Sequence, residues 1–230
     1  MQIKRVEKKF IINHQERVLL EKRLKDIIPM DKHCVGNESY EIRSLYFDTI
    51  TDRCCVEKED GLLVHEKIRI RTYNNSDKVI KLECKHKVGE TQVKKSLLIT
   101  KEILQRILKK DYSCLLEIDN PMGIFFYKKL SKGMFPKSVV QYKRMCYCLD
   151  INNIRITIDS DIRSTESCLD LFREPLQATP LLSGNIMVLE VKYSRFLLDY
   201  VKHALKGINQ TPSSYSKYFE GRRFQRSIIG

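Results

Sequence analysis

The sequence contains no tryptophan, so any stacking on a nucleobase would fall to its 11 tyrosines and 9 phenylalanines. It has no Cys-x-x-Cys pair, which argues against a zinc ribbon. Its eight cysteines do not form a disulfide framework: Cys54 and Cys55 are adjacent, and Cys84, Cys146 and Cys148 fall at strand-like positions. They read as free buried thiols in a reducing cytoplasm, where the protein is expected to reside. There is no secretory leader pattern and no apolar run of about 20 residues, so no transmembrane segment is expected. His14, His33, His65, His86 and His203 are scattered, which gives little support to histidine chemistry. Internal repeats, low-complexity runs and linkers are also missing, so residues 1–230 read as a single domain. What the chain has is charge. Lysine and arginine number 42 against 29 aspartates and glutamates, a net +13, beside a hydrophobic content of 42% that can build a core. A balance that positive points to a polyanionic partner.

The charge is patterned most clearly in KIRIRTYNNSDKVIKLECK, residues 67–85. Lys67, Arg69 and Arg71 alternate with Ile68 and Ile70, and Lys81, Glu83 and Lys85 alternate with Ile80, Leu82 and Cys84. Between them, Asn74-Asn75-Ser76-Asp77 tolerates left-handed backbone angles. This spacing predicts a β-hairpin with one apolar and one basic face. Cations crowded on one face repel one another, so either an anion holds them or water screens them.

Other strands are predicted over residues 3–12, 40–49, 92–99, 138–149, 154–159 and 186–194, with a turn at Gly89-Glu90. Residues 52–60 read as a short helix or an edge strand. Helical spacing follows Asn13 as far as Pro29, follows Thr100 and Asn120-Pro121, and runs over 196–205 to Gly207. Residues 160–185 read as irregular and Arg222-Arg223 as part of a solvated tail. About eight strands with helices at connections and ends suit an α+β fold with an antiparallel sheet.

Arg5, Glu7 and Lys9, then Arg155 and Asp159, then Glu190 and Lys192 repeat the hairpin's design of an ionic face backed by an apolar one. A merely solvated face would mix serine, threonine, glutamine, glutamate and lysine without bias. This one is mainly basic and rich in arginine, the residue that grips phosphate at two points. If the sheet closes into a barrel, these faces line a charged tunnel and helices cover the apolar side.

The stretches RVEKKF near the start, SLYFDT at 44–49, KIRIRTY at 67–73, KLECK at 81–85, KKS at 94–96, QYKR at 141–144, IRITID at 154–159, LEVKY at 189–193 and SKY at 216–218 carry a resemblance. In order and spacing, the chain resembles the vacuolar transporter chaperone (VTC) domain, the polyphosphate polymerase branch of the CYTH-like triphosphate tunnel metalloenzymes. The resemblance implies an eight-stranded antiparallel β-barrel tunnel with helices packed outside. It also implies Mn2+ or Mg2+ as cofactor, and nucleoside triphosphate (ATP first) and polyphosphate as partners, with no nucleic acid. Carried over by position, Arg69, Arg71, Arg144, Arg155 and Lys217 take catalytic phosphate contacts. Lys9, Lys67, Lys81, Lys85, Lys95 and Lys192 bind phosphate, and Glu190 holds the metal. Glu7 stands equally as a second metal ligand or a salt-bridge partner, and Glu83 reads as a salt-bridge partner. Hydrolytic relatives open on Glu-x-Glu-x-Lys; here Arg5 replaces the first glutamate, which disfavours a two-metal triphosphatase. The resemblance does not extend to a regulatory SPX domain or membrane helices.

Phosphoryl transfer needs charge neutralisation and in-line positioning more than a covalent nucleophile. Attack by a polyphosphate end would lengthen the chain, whereas attack by water would make the same site a tri- or polyphosphate hydrolase. The rival of another class is a non-catalytic binding module for polyphosphate or nucleic acid. A nucleic-acid module leaves its basic residues on an outer face beside exposed aromatics, while a tunnel enzyme hides them.

Overall fold

The structure, a computed structural model, describes residues 5–34, 39–89 and 91–229. Glu90, read with Gly89 as a turn, lies outside them, and Arg5 is described through its backbone alone. The fold is α+β, with an antiparallel sheet and helices at its connections and ends. The main strands are β1 (Arg5–Asn13), β2 (Tyr40–Asp48), β3 (Val64–Tyr73), β4 (Ser76–Val88), β5 (Thr91–Ile99), β6 (Phe135–Leu149), β7 (Ile154–Thr165) and β9 (Ile186–Ser194). A ninth, β8 (Thr179–Pro180), is two residues long and pairs with β7.

The chain divides into two compact units. The first comprises Met1–Glu41, Gln141–Arg163 and Pro180–Lys217, and its strands run in the order β1-β9-β7-β6. Lys9 pairs with Glu190 and Glu7 with Lys192, while Arg155 faces Lys192 and Thr157 faces Glu190. Side chains alternate across a strand, so this register gathers the ionic residues on one face. Phe10, Ile12, Ile156, Ile158, Leu189 and Val191 take the other face and join Leu20, Leu24 and Val201 in a buried core. Helix α1 (His14–Leu24) supplies Leu20 and Leu24. Asn13 accepts a hydrogen bond from the Glu16 amide while the Glu16 carboxylate accepts from the Asn13 amide, a reciprocal cap. The helix stops at Leu24, short of Pro29, and the chain then lies beside β6 with the Pro29 carbonyl accepting from the Cys148 amide. Helix α5 (Asp199–Ala204) packs against α1 and is shorter than the expected 196–205.

The second unit comprises Ile42–Val140, Ser164–Thr179 and Tyr218–Gly230, with the order β6-β2-β3-β4-β5. Asn74 and Asn75, both at φ 48°, make a two-residue turn, so β4 begins at Ser76, inside the predicted loop. Two-residue mirror-image turns match the right-handed twist of paired strands, which is why the pairing closes directly around Asn74 and Asn75. Buried Leu45, Phe47, Ile68, Ile70 and Leu82 form the apolar face of these strands, each contributing about 1.5–3 kcal/mol of transfer free energy. Helices α2 (Arg53–Glu59), α3 (Lys101–Leu108) and α4 (Pro121–Leu130) belong to this unit; α2 packs on β3 and α4 on β5. Residues 52–60 are therefore helical, and Asp48 Oδ1 accepts from the Cys54 amide in the first turn at 2.9 Å. Asn120 and Thr100 cap α4 and α3 as expected.

Two expectations change. Residues 160–165 continue β7 rather than being irregular, because the alternation of buried Ile162 and Ser164 with Asp161 and Arg163 extends the strand. The supposed tail is helix α6 (Lys217–Ile229), held by ions rather than left in solvent: Arg222 pairs with both Asp52 and Glu166. Arg223 is exposed, as a tail residue would be. Among the described residues, no helix is long and apolar enough to cross a membrane.

Candidate anion- and metal-binding site

In the second unit, cross-strand register builds the basic face row by row. Tyr46, Arg69 and Glu83 form one row and Ser44, Arg71 and Lys81 the next, while Lys67 faces Lys85 and Lys85 faces Lys94. Glu83 is the hub. It is 2% exposed and takes Arg69 Nε at 2.8 Å, Arg71 Nη1 at 3.9 Å and the Lys94 ammonium. Burial opposes ionisation of Glu83, but the charges of Arg69 and Arg71 overcome it and hold the carboxyl well below the usual range. Arg71, 8% exposed, also donates to Ser44 Oγ at 3.3 Å. Tyr46 accepts from Arg69 Nη1 at 3.1 Å and stacks on Tyr218, with ring centroids 4.8 Å apart. Burial raises the Tyr46 phenol and the Arg69 and Arg71 charges lower it more, to about 8. Lys81 lies over the Tyr73 ring at 5.6 Å.

In the first unit, the centre is Glu190, 6% exposed. Lys192 Nζ donates to its Oε2 at 2.6 Å, while Lys9 and Lys217 reach Oε1 at 3.6 and 3.7 Å, and Arg144 Nη2 stands 3.9 Å from Oε2. Asp159, fully buried, takes Arg144 through two parallel bonds of 2.6 and 2.7 Å and Lys217 at 2.6 Å. Glu7 lies 3.8 Å from both Lys9 and Lys192. Arg144 and Lys217 also sit over the Tyr142 ring at 5.3 and 4.7 Å. Burial opposes ionisation of Glu190, yet Lys192, Lys217 and Lys9 keep it well below the usual range. Burial likewise disfavours the Lys217 charge, and Asp159 and Glu190 more than restore it. Each ion is thus stabilised by partners of opposite sign rather than by water. Glu190 and Glu7 carry oxygen atoms, the kind of ligand a hard divalent ion takes, and in this structure both are engaged by lysines.

Most residues expected from the sequence fall in one of these two groups. Arg69, Arg71, Lys67, Lys81 and Lys85 share the face in the second unit, and Glu7, Lys9, Arg144, Glu190, Lys192 and Lys217 the cluster in the first. Arg155 is on the ionic face opposite Lys192 but turns its guanidinium to Asp31 at 3.2 Å and Tyr40 at 3.3 Å. Lys95 departs from the expectation. It pairs with Cys84 on the apolar face and rests 4.0 Å from the Phe125 ring centroid, while Lys94 takes the ionic side. The KKS stretch offers two adjacent lysines, and a one-residue difference in register exchanges their faces. Asp159 and Tyr142 were not singled out as site residues. The alternation of IRITID carried a signal for Asp159, and QYKR held none that separates Tyr142 from a packing tyrosine.

A family model described as the VTC domain matches residues 4–225. Among solved structures, a protein from Vibrio parahaemolyticus, described provisionally as an adenylate cyclase, is similar at TM-score 0.51 and 11% identity, over 96% of this chain and 98% of its own. A Bacillus halodurans protein with the same provisional description is similar at TM-score 0.50 and 10% identity, over 93% of this chain and 97% of its own. At such identities the likeness concerns the fold. A comparison with curated proteins finds no match.

Proposed function

The chain belongs to the VTC domain family of the triphosphate tunnel metalloenzyme superfamily, and from that premise we propose that it is a metal-dependent polyphosphate polymerase. The reaction is transfer of the terminal phosphate of a nucleoside triphosphate, ATP first, onto a polyphosphate chain. The observation that carries this reading is burial of the cations: Arg71 and Arg144 are 8% and Lys217 9% exposed, each on a face backed by apolar core. A module for nucleic acid would carry such residues outward, beside exposed aromatics.

In this reading Arg69 and Arg71 grip phosphate oxygens, and Lys67, Lys81, Lys85 and Lys94, the last in place of Lys95, extend the basic face along the anion. Lys9, Arg144, Lys192 and Lys217 neutralise the phosphates gathered near Glu190, and Arg155 joins them on the same sheet face. Glu190 and Glu7 hold Mn2+ or Mg2+, which when bound withdraws charge from the transferring group. The attacking phosphate oxygen is already anionic, so Glu83 and Asp159 keep the cations aligned rather than act as bases. Tyr46 positions Arg69 through their shared hydrogen bond.

The test is incubation of pure protein with ATP and Mn2+, with products run on a polyphosphate-staining gel and orthophosphate measured in parallel. Lengthening polyphosphate is the expected product. Orthophosphate alone would make the enzyme a hydrolase, and polyphosphate binding without ATP consumption would reduce it to a binding module. Glu190→Gln keeps the side chain's shape and removes its charge; it should lower Mn2+-dependent turnover by about 100-fold or more while polyphosphate still binds. Equal metal dependence in the two proteins would reject Glu190 as a ligand.

A further inference from the structure

On β6, two and four residues beyond Arg144, Cys146 and Cys148 occupy alternate positions, so their side chains leave the strand on the same side. Their sulfurs are 3.5 Å apart, and Cys148 Sγ is 3.7 Å from Asp31 Oδ2. The three ligand atoms all lie within 4.8 Å of one another. We propose that Asp31, Cys146 and Cys148 form a binding site for a thiophilic divalent ion of the zinc type, distinct from the oxygen-donor site at Glu190.

The spacing carries the proposal. Tetrahedral zinc, with bonds of about 2.3 Å to sulfur and about 2.1 Å to oxygen, requires roughly 3.8 Å between sulfurs and roughly 3.6 Å between sulfur and oxygen. The observed separations of 3.5 and 3.7 Å meet both within a few tenths of an ångström. The backbone fixes them in advance. The Asp31 amide donates to the Cys146 carbonyl at 2.8 Å and the Cys148 amide to the Pro29 carbonyl at 2.9 Å, so Asp31 is clamped beside the two thiols. The His33 amide donates to Asp31 Oδ1 at 3.0 Å, which orients the carboxylate and leaves Oδ2 toward Cys148. A water takes the fourth position.

Two thiols and a single carboxylate oxygen are a poor match for Mg2+ or Mn2+ and a good one for zinc. Zinc binds thiolates, so uptake of one ion releases the protons of Cys146 and Cys148. Arg155 now holds Asp31 Oδ2 at 3.2 Å and gives up that oxygen as the ion arrives.

The full chain, stripped of metal and kept reduced with a phosphine, is titrated with Co2+ and then with Zn2+. Expected is one equivalent of Co2+ bound with sulfur-to-cobalt charge-transfer absorption, displaced by Zn2+. Cys148→Ser and Asp31→Asn should each weaken Zn2+ binding by about tenfold or more, with folding checked by circular dichroism. Cys168→Ser and Glu190→Gln should leave that equivalent in place. In the unaltered protein, Zn2+ should also shield Cys148 from alkylation, mapped by mass spectrometry, and not Cys168; this readout is independent of whether any variant folds. Absence of the charge-transfer band, no selective shielding of Cys148, or full binding by folded Cys148→Ser and Asp31→Asn would each overturn the proposal.

Discussion

Glu83 faces three cations, Arg69, Arg71 and Lys94, from a position that water barely reaches. Removing one partner of a buried ion set is costly because the others keep their desolvation penalty, so Glu83→Gln should destabilise the fold by about 3 kcal/mol near neutral pH. The sign of its pH dependence follows from its depressed folded pKa. The unfolded chain takes up this proton near 4.5 while the folded protein refuses it. The stabilisation is thus complete above that value and declines as pH falls toward the folded pKa. Urea unfolding of both proteins at about pH 7 and about pH 4 should therefore show a gap that narrows in acid; a constant gap would deny Glu83 its charged role. Arg71→Ala removes a charge-assisted contact worth roughly 1.5–3 kcal/mol and should weaken tripolyphosphate binding by about tenfold or more in calorimetry. At this scale alternation made the charged residues of the strands legible, while Arg144 and Lys217 came only from the resemblance. The resemblance points to Lys95, whereas the register pairs Lys95 with Cys84 and turns Lys94 to the ions.

Elements were legible where apolar spacing matched burial, as in β3, β4 and β9, and at caps such as Asn13 and Asn120. Helix α6 was not, because its interior mixes Gly221 with arginines and several of its contacts are made by polar atoms. Tyr218 donates to Asp48 Oδ2 at 2.8 Å, and Arg222 and Arg226 meet Asp52. Tyr218→Phe leaves Asp48 short of a buried partner and should cost about 1–3 kcal/mol in thermal or urea unfolding. Gly123 in α4 makes the opposite kind of demand. A Cβ there would stand 2.2 Å from the Leu115 carbonyl oxygen, a backbone atom that cannot simply swing aside. Alanine favours helix over glycine by about 1 kcal/mol. Overpacking of this kind typically costs 1–3 kcal/mol, so Gly123→Ala should lower the melting temperature. An unchanged or higher value would mean that α4 shifts freely away from the 3-10 turn at Tyr112–Glu117.

For the molecule as a whole, a net charge of +13 predicts two opposed responses to salt. Screening relieves self-repulsion, so added NaCl should raise the melting temperature slightly. The same screening and the loss of counterion release should weaken polyphosphate binding by about tenfold or more between roughly 50 and 500 mM NaCl. Binding indifferent to salt would place the anion's grip elsewhere than in these cations. The strand pattern made the fold class legible, and the composition motivates the polyanionic partner proposed above. The internal carboxylates were legible as residues but not as hubs, since that role depends on burial. Glu83, Asp159 and Glu190 already engage the arginines and lysines around them. Under the proposed function, an incoming anion therefore enters by exchange, displacing a resident carboxylate from its cation, and the carboxylate returns as the anion leaves. The free energy of each step is the difference between two similar ion pairs and is much smaller than either. Under the proposed function, a long, highly charged chain moves over the strands of either unit with low friction, held firmly by the sum of its contacts and loosely by each.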